Sequence, residues 1–163
     1  MGIADADSAE HHVPTATHII VPVSCAVPNR APGAPKLSGE NQVRALPGTR
    51  LAGILGNAVI EERYFCNYEV NDAFRPKLEA AGMKVSALGH QGETRAIELE
   101  GHPFFVATLF QPQLTSKSSG QPHPLICAFL EATGRRGCGR TRRRNGIRLQ
   151  PPKGFLRASA PPW

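Results

Sequence analysis

The chain has 163 residues, which is room for one domain, and its formal net charge is +6. That charge is uneven: residues 1–133 carry ten Lys and Arg against thirteen Asp and Glu, whereas residues 134–163 carry nine Lys and Arg and no acid. The body is therefore mildly acidic, so the positive net charge of the chain does not indicate that the body binds nucleic acid. The four cysteines form no C-x-x-C pair and no compact Cys/His cluster, so neither a metal site nor a cofactor is predicted.

The compartment is predicted from what the chain lacks. No apolar run approaches the ~20 residues that span a bilayer, and the first residues do not contain a basic segment followed by an apolar one. We therefore expect a cytoplasmic protein with reduced thiols and no membrane attachment.

The first half of the chain contains two predicted strands separated by an irregular segment. Residues 18–23 are β-branched and lie between Pro14 and Pro28, as expected of a short strand. Residues 28–47 contain four prolines, so we predict an irregular, Pro-rich surface loop. Residues 62–70 have the aromatic and β-branched content of a second strand.

A helix is predicted over residues 72–81. Phe74, Leu78 and Ala81 recur at helical spacing, and Gly82 follows at the position where a left-handed residue commonly ends a helix.

Three short strands and a final helix are predicted next. The strands cover 83–88, 95–99 and 103–110, and the last is apolar almost throughout, which indicates a strand covered on both faces. Residues 111–121 are predicted to be a loop. Residues 122–132 form an amphipathic helix with proline in its first turn.

Residues 134–163 differ from the rest of the chain. They combine an Arg-rich stretch that lacks hydrophobic periodicity with four prolines, so we predict a disordered basic tail. The tail is either an arm that binds nucleic acid or another polyanion, or a solvated or out-of-frame extension without a role. We favour the second interpretation, because blocks of like charge are usually disordered and the composition changes abruptly at a helix end.

Four segments carry a family resemblance. The chain reads A-D-A-D-S-A-E over 4–10, E-R-Y-F-C-N-Y-E-V-N over 62–71, G-H-P-F-F-V-A-T-L-F-Q-P-Q over 101–113 and H-P-L over 123–125. In order and spacing these segments resemble the C-terminal glutaminase domain of CTP synthase. That family reads N-A-N-S-T-E, E-R-H-R-H-R-Y-E-V-N, H-P-[FW]-F-V-A-x-Q-F-H-P-E and H-P-L.

The resemblance implies an α/β fold of the class I glutamine amidotransferase-like, flavodoxin-like kind, with a mostly parallel sheet and flanking helices. It also implies that residues 1–133 are a partial domain that lacks its N-terminal part, because the family's nucleophilic cysteine lies in a G-x-C-x-G segment that this chain does not contain. The segment that most resembles this motif, Gly137-Cys138-Gly139, lies in the basic tail and has no predicted strand beside it.

The catalytic positions implied by the resemblance are degenerate. Amide hydrolysis by this route needs a thiolate, a histidine base and a carboxylate that orients the histidine. Gln111 and Gln113 stand where the family has its catalytic histidine and glutamate. A carboxamide cannot accept and return a proton near neutral pH, so we expect a pseudoenzyme. Without the resemblance, these glutamines would indicate only a polar loop.

The predicted glutamine-binding positions are partly retained. Glu10 matches the family's acidic residue for the glutamine amino group, whereas Asn67 replaces the arginine that holds the glutamine carboxylate. Cys66 and Cys25 are candidate replacement nucleophiles, but the sequence offers neither a base. We expect the six histidines to be structural.

The predicted function is a catalytically degenerate amidotransferase-like domain, related to an enzyme of pyrimidine nucleotide biosynthesis, that binds a small amide or amino-acid ligand, a protein partner or another copy of itself. One alternative is an active glutamine-hydrolysing CTP synthase; its ligase reaction would require a P-loop, and no G-x-x-x-x-G-K-[ST] occurs. Another is nucleic-acid binding through the tail. A fourth is a fragment or pseudogene product, whose open sheet edge would favour aggregation.

Overall fold

The computed structural model of the chain describes residues 2–14, 16–24, 32–56 and 58–134. The predicted disordered tail lies outside the described residues apart from Gly134, and the candidate nucleophile Cys25 lies outside them as well. Among the described residues, no helix is long and apolar enough to cross a membrane.

The described residues form eight strands, four α-helices and two 3₁₀ turns. The strands are β1 Ala6–Ser8, β2 Thr17–Pro22, β3 Leu37–Ala45, β4 Val59–Cys66, β5 Tyr68–Val70, β6 Met83–Leu88, β7 Thr94–Leu99 and β8 Val106–Thr108. The helices are α1 Arg50–Leu55, α2 Arg75–Ala80, α3 Pro112–Ser119 and α4 Pro124–Ala132, and the 3₁₀ turns are Ala9–His11 and Asp72–Phe74.

The strands are arranged in two sheets. The large sheet has the order β4-β3-β6-β7-β8 and is antiparallel throughout. The small sheet has the order β1-β2-β5, with β1 parallel to β2 and β5 antiparallel to it. The predicted α/β class is confirmed, but among the described strands the expected parallel pairing is limited to β1 and β2. The connections from β6 to β7 and from β7 to β8 are shorter than the dozen or more residues that a parallel crossover needs.

The prediction that residues 28–47 form an irregular loop is wrong for residues 37–45, and residues 28–31 lie outside the described residues. The second half of the segment is β3, the longest strand, which pairs with β4 along its length and with β6 at its end. The reason is the placement of the prolines: none lies between Pro35 and Pro47, so every residue of β3 keeps a backbone N–H. The strand buries Leu37, Val43 and Ala45.

Residues 103–110 also differ from the prediction. Only β8, at the edge of the large sheet, is a strand there, and the side chains of Phe105 and Ala107 are exposed. The segment is apolar because it packs under a helix, as shown by the edge-to-face contact of Phe104 with Phe129 in α4, with ring centroids 5.7 Å apart. It is therefore not a strand covered on both faces.

The predicted loop over 111–121 contains α3. Pro112 occupies the first turn of this helix, and Gly120 ends it in a left-handed conformation with φ of +67°. These are standard helix boundary signals, but the polar residues between them hide the helical periodicity. By contrast, the predictions of α4 and of the helix that ends before Gly82 are confirmed.

Three buried polar atoms of the described residues have no hydrogen-bond partner, namely the Tyr64 hydroxyl, Nε of Arg75 and the Ser86 hydroxyl, and the tyrosine is the largest of these side chains in the core. Tyr64 on β4 is 1% exposed and packs edge-to-face against Phe110, with centroids 6.2 Å apart. Its hydroxyl has no hydrogen-bond partner among the described residues. Burial raises the pKa of Tyr64 well above its ordinary value, so the phenol stays protonated at physiological pH.

Because a buried hydroxyl without a partner costs free energy, replacing Tyr64 with phenylalanine is expected to raise the free energy of unfolding by about 1 kcal/mol. The measurement is urea unfolding followed by far-ultraviolet circular dichroism. Tyr68→Phe, at a half-buried tyrosine, is the matched control and should change stability by less than about 0.5 kcal/mol. A clear loss of stability in Tyr64→Phe would contradict the prediction.

Candidate functional site

Glu10 lies on the 3₁₀ turn Ala9–His11, which is held by two side chains that precede it. The Ser8 hydroxyl accepts a hydrogen bond from the Glu10 N–H at 3.2 Å. The Asp7 carboxylate lies 2.6 Å from Nδ1 of His11 and accepts the Ser8 N–H at 2.7 Å. These contacts, with that of His11 the largest, hold the pKa of Asp7 below its usual range. The exposed Glu10 carboxylate itself has no partner among the described residues.

Asn67 separates β4 from β5, so the single strand predicted over 62–70 is split at this residue. Its Oδ1 accepts the backbone N–H of Lys36 at 2.9 Å, and its backbone carbonyl accepts the N–H of Val23 at 2.9 Å. Asn67 therefore ties together three segments of the chain, a structural role that the sequence did not indicate. Its Nδ2 has no partner among the described residues.

The structure brings Glu10 and Asn67 into one pocket, with a volume of about 300 Å³. We call it the Glu10 pocket. Its lining consists of two polar side chains, two aromatic rings, a thiol and a proline: Glu10, Asn67, Phe65, Tyr68, Cys66 and Pro35. Two residues that are 57 positions apart in the sequence thus line the same pocket.

Gln111 and Gln113 lie beside this pocket, next to the end of β4. The Gln111 backbone donates to the Arg63 carbonyl at 2.8 Å, and its side-chain Nε2 donates to the carbonyl of Phe65, a pocket residue, at 3.3 Å. Gln113 then donates from Nε2 to Oε1 of Gln111 at 3.3 Å. All four predicted site residues are therefore grouped around the C-terminal end of β4.

The thiols do not form a catalytic pair within the described part of the chain. Cys66 is a free cysteine whose Sγ donates to the Leu109 carbonyl at 3.2 Å, and no imidazole or carboxylate of the described residues bonds to it. Cys127 is disulfide-bonded, so the expectation that all thiols are reduced is wrong for this residue. The described residues also contain no cluster of three His, Cys, Asp or Glu that could hold a metal ion.

A buried hydrogen-bond network lies close to these residues, and sequence reasoning missed it. Glu62 accepts from Nε2 of His123 at 2.7 Å with one oxygen and from the Thr115 hydroxyl at 2.8 Å with the other. Nδ1 of His123 accepts the Leu125 N–H at 3.1 Å and so caps α4. An Nδ1 that accepts leaves the proton on Nε2, so His123 is a neutral donor with both nitrogens engaged. It is not available as a base.

The alternation of side chains along β4 could have indicated that Glu62 is buried. Side chains alternate between the two faces of a strand, so a residue two positions before the core residue Tyr64 points the same way. A buried carboxylate requires donors, which indicates a partner such as His123.

Known proteins that are similar in sequence to this chain include three CTP synthases. The chain is 41% identical over 95 residues to CTP synthase of Methylobacterium nodulans, a match that covers 58% of this chain and 17% of the relative. It is 34% identical over 140 residues to CTP synthase of Rhodococcus opacus, covering 81% of this chain and 23% of the relative. With CTP synthase of Caldivirga maquilingensis it shares 34% identity over 141 residues, covering 85% and 26%. The chain thus spans about a quarter or less of the length of these relatives.

A solved structure matches the fold. The glutaminase domain of Trypanosoma brucei CTP synthase, determined with bound acivicin, matches with a TM-score of 0.69 at 24% identity, over 85% of this chain and 56% of that one. No family model matches the chain.

This match shows an α/β fold of the class I glutamine amidotransferase-like kind. More narrowly, the chain is related to CTP synthase and has the fold of that family's glutaminase domain.

Proposed function

We propose that this chain is a glutaminase-like domain of the CTP synthase family that binds a small amide ligand and does not hydrolyse it. The observation that carries the proposal is the contact between Gln113 and Gln111, in which one carboxamide donates to the other at 3.3 Å. At the two positions where the resemblance implies a base and its orienting carboxylate, the chain therefore has two neutral amides that engage each other.

The chemistry of this arrangement supports binding rather than turnover. General acid–base catalysis ordinarily contributes a factor of ~10²–10⁴, and neither glutamine can exchange a proton near neutral pH. The remaining donors and acceptors still suit an amide ligand, because the Glu10 pocket presents a carboxylate and a carboxamide beside two aromatic rings.

Purified full-length chain is expected to release no ammonia from glutamine above the uncatalysed rate, measured by coupling ammonia to glutamate dehydrogenase. Cys66→Ser should give the same trace, because no base contacts the Cys66 sulfur in the described structure. Ammonia release that depends on Cys66 would contradict the proposal.

Binding is tested separately. Titration with glutamine and related amides at millimolar concentration should shift the backbone amide resonances of Asn67 and Tyr68 in ¹⁵N-edited NMR spectra, since both residues line the pocket. The amide resonance of Glu79, on the remote helix α2, serves as the internal control. Absence of a saturable shift with any of these compounds would remove the binding half of the proposal.

A further inference from the structure

We propose that a small polar pocket beside β3 binds a phosphate group, either as the free ion or as a phosphate monoester. The pocket has a volume of about 130 Å³ and is lined by residues 42–44 of β3, Val59 of β4 and residues 88–90 at the end of β6. We call it the Arg44 pocket. It shares no lining residue with the Glu10 pocket, so this inference goes beyond the proposed function and does not depend on it.

Arg44 has a free guanidinium group. The described residues contain five arginines, and four of them donate to carbonyl, hydroxyl or carboxylate oxygens: Arg50, Arg63, Arg75 and Arg95. Arg44 has no such acceptor in the described part of the chain. On β3 it lies opposite Val59 of β4 on one side and Leu88 of β6 on the other, so both cross-strand neighbours are apolar. A cation without a counter-ion at the lining of a pocket is available to an anionic ligand.

Three further donors belong to residues that line the same pocket. Gln42 lies two positions before Arg44 on β3, so its side-chain amide is on the same face of the strand. The backbone N–H and the imidazole of His90 have no acceptor among the residues that the structure describes. The Gly92 N–H donates to the Gly89 carbonyl at 3.2 Å, which makes His90 the second residue of a turn that does not use its N–H. Guanidinium groups and free backbone N–H groups of turns are donors that suit phosphate oxygens.

The size and the donors of the Arg44 pocket select a phosphate group. Its volume of about 130 Å³ is below the roughly 300–1,000 Å³ of pockets that hold drug-sized ligands, so it accommodates one compact group. A phosphate presents more oxygens than a carboxylate to the donors of Arg44, Gln42 and His90. It also carries more negative charge near neutral pH, which strengthens its attraction to a guanidinium.

Glu61 is an acidic residue on the same face of the sheet. It pairs with Gln42 across β3 and β4, but it does not line the pocket and forms no ion pair within the described ranges. Glu93, in the hairpin between β6 and β7, is engaged by Arg95 at 2.8 Å and by the Gln91 N–H at 2.8 Å. Glu61 therefore lowers the affinity for an anion without neutralising Arg44 by contact.

The test is an NMR titration of the full-length chain with sodium phosphate and with methyl phosphate, at constant ionic strength and near neutral pH. Saturable shifts are expected for the backbone amide resonances of Arg44, Gly89 and His90. The dissociation constant is expected in the millimolar range, because the Arg44 side chain is exposed and solvent screens its charge. Sodium chloride at the same ionic strength should give no saturable shift, and acetate should bind at least about threefold more weakly than phosphate.

Three variants locate the site. Arg44→Met should weaken phosphate binding by about tenfold or more, because it removes the charged donor. Arg63→Met is the matched control: it removes an equal charge from the same face, but from a guanidinium already paired with Glu40 at 2.9 Å, so the affinity should change by less than about twofold. Glu61→Gln should tighten binding by about twofold, because it removes a neighbouring negative charge. The nine Lys and Arg of residues 134–163 are present in every variant, so they do not account for differences between variants.

Several outcomes would overturn this inference. They are an unchanged affinity in Arg44→Met, an equal loss in Arg44→Met and Arg63→Met, and shifts with chloride that match those with phosphate. If Arg44→Met loses its native circular dichroism, Glu61→Gln decides the test. Binding of methyl phosphate as tight as that of phosphate supports a site for an esterified group, and binding of phosphate alone supports a site for the free ion. The proposed function is tested at Asn67 and Tyr68 with amides, so either proposal can fail without the other.

Discussion

Replacing Glu62 with alanine is expected to lower the free energy of unfolding by about 3–5 kcal/mol, because it leaves two buried hydrogen-bond donors without an acceptor and opens a cavity. Glu62 and His123 are each 3% exposed and are joined at 2.7 Å. Without the carboxylate, the His123 N–H and the Thr115 hydroxyl lose the acceptor that they share in the core, and a cavity forms between β4 and α4.

Urea unfolding followed by circular dichroism checks this result, with Glu61→Ala as the matched control. Glu61 precedes Glu62 on the same strand but is exposed, so its replacement should change stability by less than about 0.5 kcal/mol. The losses in Glu62→Ala and His123→Ala should be strongly non-additive in the double variant, because both remove the same contact. Similar, small losses for Glu61→Ala and Glu62→Ala would show that the pair is not a stabilising element.

The elements predicted correctly from the sequence are those in which local pattern and tertiary environment agree. The strand β6 was predicted with the bounds that the structure shows, and α4 has an apolar face and proline in its first turn. In both, the residues that favour the element locally are also the ones that meet the core. Where local pattern and environment agree, the element can be predicted from the sequence without knowledge of the fold.

The missed elements are those in which the solvent-facing residues dominate the pattern. In β3 the stretch from Gly39 to Gln42 is polar, and the strand is defined by its pairing with β4 and β6 rather than by its own composition. The polar residues of α3 likewise conceal a helix that Pro112 and Gly120 delimit. Pairing with distant strands, rather than local composition, makes the residues of β3 a strand.

The candidate positions can be named from the sequence, whereas their contacts cannot. The resemblance named Glu10, Asn67, Gln111 and Gln113, and the structure groups all four around the end of β4. The hydrogen bonds of Asn67 to Lys36 and Val23, by contrast, depend on segments that only the folded chain brings together. The same is true of Glu62 and His123, which are 61 positions apart.

Replacing Arg95 with methionine is expected to lower the free energy of unfolding by about 3–5 kcal/mol. Arg95, on β7, is 4% exposed, and it donates to Glu69 at 2.7 Å and to Glu93 at 2.8 Å. The remaining oxygen of Glu69 accepts both the N–H and the hydroxyl of Ser24 at 2.7 Å. The pair thus joins β7 of the large sheet to β5 of the small sheet, and removing the guanidinium leaves a buried carboxylate unpaired.

Arg63→Met is the matched control, because Arg63 pairs with Glu40 at 2.9 Å and both side chains are largely exposed. Arg63→Met should lower the free energy of unfolding by at most about 1 kcal/mol, since solvent screens an exposed pair of the same chemical type. The two variants therefore differ mainly in the burial of the pair. Equal losses would show that burial does not determine the cost.

A second replacement separates the free-energy cost of leaving Glu69 unpaired from the net contribution of the Arg95–Glu69 pair to stability. Changing Glu69 to leucine in the Arg95→Met protein should recover at least about 2 kcal/mol, because a buried ion pair and an apolar pair of similar volume are often nearly equivalent in stability. Glu93 loses its ionic partner in both variants but keeps the hydrogen bond from the Gln91 N–H, and at 13% exposure it lies nearer to solvent than Glu69 at 6%. Recovery in the double variant would mean that the Arg95–Glu69 pair fixes how the two sheets are joined more than how stably they fold. A double variant less stable than Arg95→Met would instead show that the hydrogen bonds from Ser24 to Glu69 are themselves a principal source of stability.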